Sequence, residues 1–299
     1  MTLLDWYARS GRAHLPWRAV RDPYYTLVSE FMLQQTQVDR VIPKFEAFVA
    51  RFPDVRALAE SSIAEVLRLW QGLGYNSRAV RLHRVAREVV ERFGGAIPRD
   101  SEQLRSLPGV GPYTASAVRA FAFNEDDVAI DTNIRRIVHR LSFGLEYPAP
   151  RSSRELDAAA REMLPQGSAH DWNSAMMDLG ATICTARAPK CLLCPLAPRC
   201  ASAPVDAARL EALRREHAKS PSPQQAMPFE KTTRFARGRI IDRLRALPPG
   251  RRISLLDLYG DLRALLPERS LEDVTGLVAI LHRDGLVALD GDSVALPDS

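Results

Sequence analysis

The sequence predicts a mainly α-helical protein in two parts: a long helical region, then a small unit of three helices and a hairpin. Three observations carry that prediction. Apolar residues recur at spacings of three and four through the first two hundred residues, strand patterns are nearly absent there, and short proline or glycine breaks separate the periodic stretches. After Cys200 the composition shifts to proline and small polar residues before the periodicity returns.

Taken in order, residues 61–70 place Ile63, Val66, Leu67 and Trp70 on one helical face, and residues 78–93 do the same with Val80, Leu82, Val85 and Val89. Residues 113–123 and 131–141 repeat the pattern. Breaks fall at Gly72 and Gly74, at Gly94-Gly95, at Pro108-Gly109-Val110-Gly111 and at Tyr147-Pro148-Ala149-Pro150. Residues 204–230, with Pro204, Pro221, Pro223 and Pro228, read as a linker with a short helix around 206–217. Helical stretches follow at 232–247, 254–266 and 271–284. Two short apolar runs then flank Asp290-Gly291 between Leu286 and Leu296, a hairpin signal. That order makes residues 231–299 a winged-helix-like module, a class that contacts either DNA or protein.

At 299 residues, with 46% apolar and 26% charged, the chain can bury a full core without staples. The net charge of +5 fits an anionic partner, although an arginine-rich coding bias explains it equally well. The start carries no apolar leader and no stretch approaches eighteen unbroken apolar residues. The expectation is a cytoplasmic protein without membrane contact.

Cys184, Cys191, Cys194 and Cys200 are the only cysteines, spaced C-x6-C-x2-C-x5-C. Disulfides are disfavoured in the expected compartment. Zinc sites usually come as two tight pairs, and only one pair here is tight. One continuous loop suits an iron–sulfur cubane, whose irons each take a thiolate from a different direction; zinc remains the alternative.

In Leu104–Ser116 a helix is expected to end at Leu107, Pro108 to Gly111 to turn, and a new helix to start near Pro112. Glycine lets backbone approach a ligand, and N–H groups at the helix start can hold a phosphate, so this is a helix-hairpin-helix grip or a plain interhelical turn. Asp131 begins the next helical run. It is either a simple N-cap or a carboxylate held at a cleft, with the helix N-terminus favouring its ionised form.

The order of hairpin, Asp131 and cysteine loop resembles the endonuclease III superfamily of helix-hairpin-helix DNA glycosylases over residues 1–203. Leu15-Pro16-Trp17-Arg18, Ser29–Val38, Gly72–Tyr75 and Trp172–Ala181 are most similar to the adenine DNA glycosylase (MutY-type) branch. The resemblance implies a two-lobed fold. Residues 23–127 would form a helical barrel lobe, and residues 1–22 with 128–203 an iron–sulfur lobe holding one [4Fe-4S] cluster on the four cysteines. It implies Glu30 as general acid, Asp131 as stabiliser of the cationic sugar, and Asn133 and Tyr113 in support. It also implies DNA contacts from Gln34, Gln35, Tyr75 and Pro108–Gly111, and a base pocket including Trp17, Arg18 and Leu33. The implied partner is double-stranded DNA bearing a mismatch or damaged base, bound by a monomer at the nucleoid. Superfamily members that cut the strand carry lysine at position 113; tyrosine there implies that base removal leaves an abasic site.

Three departures keep the target base open. Residues 231–299 are too short and too helical for the branch's Nudix-like domain, Asn76 replaces an aromatic, and Ser174 replaces a glutamine or glutamate. Thymine, uracil or hypoxanthine removal from the same superfamily is one alternative, and a non-catalytic iron–sulfur DNA-binding protein another. The basic run Lys231, Arg234, Arg237, Arg239, Arg243 and Arg245, with Arg251 and Arg252 beyond, is expected to face phosphates or to be a solvated helix face.

Overall fold

The computed structural model describes residues 2–145, 152–218 and 228–298, so the break at Tyr147–Pro150 and the prolines at 221 and 223 lie outside the described residues. Helix α1 (Leu3–Ser10) opens on a capping box in which Thr2 accepts the Asp5 N–H and Asp5 accepts that of Thr2. Helix α2 (Pro16–Ala19) starts on proline, and α3 (Pro23–Leu33), α4 (Val38–Arg51), α5 (Val55–Glu60) and α6 (Ile63–Leu69) follow. Helix α7 (Ser77–Phe93) stops at Gly94, whose φ of 62° is the left-handed cap glycine permits. Then come α8 (Ser101–Arg105), α9 (Pro112–Phe121), α10 (Thr132–Ser142), α11 (Ser153–Glu162), α12 (Ala169–Thr182) and α13 (Ala207–Glu216). The terminal module holds α14 (Thr233–Arg245), α15 (Leu255–Leu262) and α16 (Leu271–Arg283), with strands β1 (Ile253–Ser254), β2 (Ala288–Asp290) and β3 (Ser293–Ala295).

The chain divides into two compact units. The first comprises residues 1–30, 97–106 and 110–219. Helix α12 is its centre and packs against α1, α9 and α10, burying Trp172, Ala175, Met176 and Leu179. Apolar groups removed from water at this helical spacing are the main stabilising contribution. Within the stretch expected as linker, Asp206 caps α13, which anchors by the fully buried Leu210.

The second unit comprises residues 31–96, 107–109 and 220–299. Helix α7 lies along α5 and buries Leu82, Val85 and Val89, the face read from sequence. The terminal module is winged-helix-like: α14 packs on α15 and α16, and the antiparallel sheet has order β1-β3-β2, with Val294 between Ile253 and Leu289. Strand β1 was not foreseen, because two residues carry no readable alternation.

This module is fastened to the helices of its own unit. The Ala64 N–H donates to the Pro297 carbonyl at 2.8 Å. Arg245, whose side chain is 6% exposed, donates to the Leu67 carbonyl (2.8 Å) and to Asn76 Oδ1 (2.6 Å). Asn76, unexpected by family resemblance, is therefore the acceptor for an arginine of the module.

The basic run on α14 needs correction. Arg237 pairs with Asp284, Arg239 and Arg245 with Asp242, Arg243 with Asp261, and Lys231 with Glu268. The helix buries Ala236, Ile240, Ile241 and Leu244 as the centre of the module, so its basic residues flank a core and meet Asp242 of the helix itself and carboxylates of neighbouring elements. Among the described residues Arg234 makes no such pair.

Candidate active site

Helix α3 carries Glu30 among Leu27, Val28, Phe31 and Met32, and the glutamate is itself 7% exposed. Burial pushes its carboxyl up to about 7. A hydrogen bond with the Tyr113 hydroxyl and the charge of Arg18 oppose that rise, and the nearby Asp131 charge adds to it. Tyr113, on the first turn of α9, is pushed well above the usual phenol range by burial and by the Glu30 and Asp131 charges. Glu30, Tyr113 and Asp131 thus form one coupled group, wholly within the first unit.

Asp131 is delivered by the segment Asp127–Ile130, which Asn173 fixes from α12. Asn173 Oδ1 accepts the Ala129 N–H at 2.9 Å, and its Nδ2 donates to the carbonyls of Asp127 (3.0 Å) and Ala169 (2.8 Å). Asp131 caps α10 by accepting the Ile134 N–H at Oδ1 (2.7 Å), and it accepts Asn133 Nδ2 at Oδ2 (2.7 Å). A carboxylate has about four acceptor positions, so this leaves capacity toward a ligand. The Ile134 N–H at the start of α10 favours the ionised form, in the expected direction, but burial raises the pKa by more than these hydrogen bonds lower it.

Behind Asn133 runs a chain of partners. Its Oδ1 accepts Arg136 Nη2 (2.9 Å), and Arg136 donates onward to the carbonyls of Gly180 (2.7 Å) and Cys184 (2.8 Å). Gly180 is required here, because a Cβ at this position would lie 2.5 Å from Asn133 Cβ. Gly180→Ala must part α10 from α12. It is expected to destabilise by about 1–3 kcal/mol, typical of an overpacked core, and to slow any reaction that depends on Asp131. Chemical denaturation and a single-turnover assay check the two effects.

Arg18 is held by Asp178, a fully buried carboxylate that accepts Arg18 Nη1 (2.9 Å), the Arg12 N–H (2.7 Å) and Arg12 Nε (2.8 Å). Burial would raise Asp178, but the two arginines more than offset it and hold the carboxyl below its usual range. Sequence reading missed Asp178, Asn173 and Gly180. The available signal was polar residues on a helix whose apolar residues already fill its inward face. Trp17 is buried in the first unit, while Leu33 is half-buried in the second. Ser174 is fully buried, and its hydroxyl has no partner among the described residues.

In the hairpin, α8 ends at Arg105, two residues earlier than expected, and Pro112 opens α9 as anticipated. Gly109 has a φ of 81°, a left-handed turn. Gly111 is extended, and a Cβ there would meet nothing within 4 Å, so the start of α9 is open. Half-buried Pro108 and buried Val110 complete the turn. In the second unit, exposed Gln35 (φ 57°) and Tyr75 (φ 44°) both take left-handed backbone without being glycine. Buried Arg78, also missed, ties their two turns together. It donates to the carbonyls of Phe31, Met32 and Gln34 (2.8, 2.9 and 2.6 Å) and of Leu73 and Gly74 (3.0 and 3.1 Å).

The four cysteines line one cavity in the first unit. Arg140 Nη1 donates to Cys184 Sγ and the Val205 N–H to Cys191 Sγ, both at 3.5 Å. Among the described residues, no three His, Cys, Asp or Glu side chains gather as a site for a single metal ion.

The family model "HhH-GPD superfamily base excision DNA repair protein" matches residues 28–165, a span that includes Glu30, the hairpin, Tyr113 and Asp131. An adenine DNA glycosylase of Mycobacterium tuberculosis is 39% identical over 298 residues, covering 97% of this chain and 93% of that protein. One from Mycolicibacterium smegmatis is 46% identical over 195 residues, covering 65% of this chain and 66% of that protein. The solved structure of a thermostable thymine-DNA glycosylase aligns with a TM-score of 0.62 at 31% identity, covering 66% of this chain and 91% of the other. The mycobacterial match over nearly the whole chain includes the terminal module.

Proposed function

Because this chain belongs to the adenine DNA glycosylases of the HhH-GPD base-excision repair superfamily, we propose that it removes adenine mispaired with guanine or 8-oxoguanine. The observation that carries this reading is Glu30: a buried carboxyl with a pKa of about 7, coupled to Tyr113 and Asp131. Adenine leaves poorly as an anion. Glu30 protonates N7, so that the base departs neutral as the N-glycosidic bond breaks and its electron pair passes to the base. Asp131 balances the positive charge on the sugar, and water adds to the anomeric carbon, its proton passing to the Glu30 carboxylate that the first step leaves, to give an abasic site. Tyr113 holds Glu30, and Asn133 holds Asp131. No amine stands at position 113 to form a Schiff base, so the product strand stays intact.

The base must leave the stack to reach these groups. Gln35 and Tyr75 fill the gap, with Gln34 beside them, and the Pro108–Gly111 turn holds phosphate on its open N–H groups. Trp17 and Arg18 of the first unit are assigned to the base, and Asp178 fixes the direction of Arg18. The protein acts as a monomer on cytoplasmic, nucleoid DNA.

The donor set fits a [4Fe-4S] cluster: four thiols face one cavity, with hydrogen-bond donors to sulfur from Arg140 and Val205. Held by these four cysteines, a cluster would supply a structural brace for residues 184–200. Cys200→Ser is expected to lower iron and inorganic sulfide content together; a chain that instead binds one zinc contradicts this assignment.

A second reading, excision of thymine or uracil, draws on the likeness to the thymine-DNA glycosylase structure. A panel of A, T, U and hypoxanthine opposite G and 8-oxoguanine, developed with alkali, separates the two. Adenine release with strand breaks only after alkali is expected. Release of thymine or uracil but not adenine overturns the first reading.

A further inference from the structure

The second unit contains a groove of about 960 Å³ that none of the catalytic carboxylates enters. One wall is the turn Gly72–Ser77 with the start of α7, and the other is α14 with the end of α16. Eight arginines line it against two aspartates, Asp242 and Asp284. Those aspartates engage Arg237, Arg239 and Arg245. Arg40, Arg81, Arg84, Arg234 and Arg283 are exposed and, among the described residues, have no carboxylate within ion-pair distance. Five unneutralised guanidinium groups around one concavity repel one another, and a concave wall concentrates their field on whatever enters.

Two further features narrow the ligand. The groove presents aromatic faces: Tyr75 is 39% and Phe229 52% exposed, and the Arg234 guanidinium lies 3.8 Å from the Tyr75 ring centre and 5.7 Å from that of Phe229. Arginine interleaved with exposed rings suits a backbone phosphate beside an unstacked base. Arg81 of this groove also packs against Gly109: a Cβ at that glycine would lie 3.0 Å from Arg81 Cδ.

The geometry points to this groove as a second DNA site, which takes the phosphodiester strand opposite the one that loses its base, with Arg84 and Arg283 on its phosphates. Arg234 then moves from the Tyr75 ring to phosphate, uncovering the ring for a base. This rests on the DNA-repair reading above, yet it is measured by binding, independently of base release.

The test uses the full chain and a duplex carrying an abasic site, with Arg84→Glu/Arg283→Glu compared with the control pair Arg87→Glu/Arg263→Glu, exposed arginines outside the groove. The groove pair is expected to bind about tenfold more weakly and to reduce the slope of log affinity against log salt by about 1.8, for two lost phosphate contacts. Hydroxyl-radical protection of the strand opposite the abasic site should fade selectively. Arg84→Gln/Arg283→Gln should show the same trend more weakly, with an unchanged melting temperature that excludes misfolding. Unchanged affinity and slope, an equal loss in the control pair, or loss of protection only on the abasic strand overturns the proposal. Failure of the wild-type chain to release any base would instead overturn the glycosylase reading.

Discussion

Asp131→Asn lowers single-turnover base release by about 10³-fold, the scale of removing one directed charge-stabilising group, and leaves duplex affinity within about twofold. Asparagine is as good an N-cap as aspartate, so the bond from the Ile134 N–H and the start of α10 survive. What disappears is the negative charge proposed to stabilise the sugar. The substitution also sets an amide where Asp131 Oδ2 accepted Asn133 Nδ2. Asn133 cannot turn over to match without losing Arg136 from its Oδ1. Parallel gel-shift and base-release measurements check this. Base release at the wild-type rate would remove Asp131 from the mechanism.

Glu30→Gln produces the second large effect, a fall of about 10²- to 10⁴-fold, as expected for loss of a general acid. Its pH profile is the sharper readout. The wild-type rate should hold below pH 7 and drop about tenfold per unit above it, as the carboxyl with a pKa of about 7 gives up its proton. The variant should have no such limb. Stability also falls as the pH rises. The folded-state pKa lies above the ordinary 4.5, so the folded chain holds this proton more tightly than the unfolded one. That stability is fully present below pH 4.5 and is lost as the pH climbs to about 7. The loss reaches at most about 3 kcal/mol. Glu30→Gln should therefore melt above wild type at pH 8 and level with it at pH 4.5. Equal melting at both values would show that the buried carboxyl carries no such penalty.

Much of this was readable from the chain because it is local. The helical faces of α6 and α7 repeat every three to four residues, and the turn at Pro108–Gly111 is written in proline and glycine. The cysteine spacing and the segments around Glu30 and Asp131 carry a family likeness within a few residues. The supports of the site are not local. Arg78 reaches carbonyls 44 to 47 residues away, Asp178 holds Arg12 from a distance of 166, and Arg245 meets Leu67 across 178. No periodicity records such pairings. The partners of the basic run around α14 are hidden for the same reason: a charge run in sequence does not show Asp261, Glu268 or Asp284 arriving from later elements.

The contacts that lead from the Cys184 carbonyl through Arg136 and Asn133 to Asp131 have a consequence for damaged molecules. The loop that would carry iron and the carboxylate proposed to act on the sugar stand on one mechanical frame. A molecule whose loop is oxidised or never receives iron should lose the aim of Asp131 before it loses its hold on DNA. Defective copies then fall silent rather than cutting the wrong base, a fail-safe that a repair enzyme working on intact chromosomes needs.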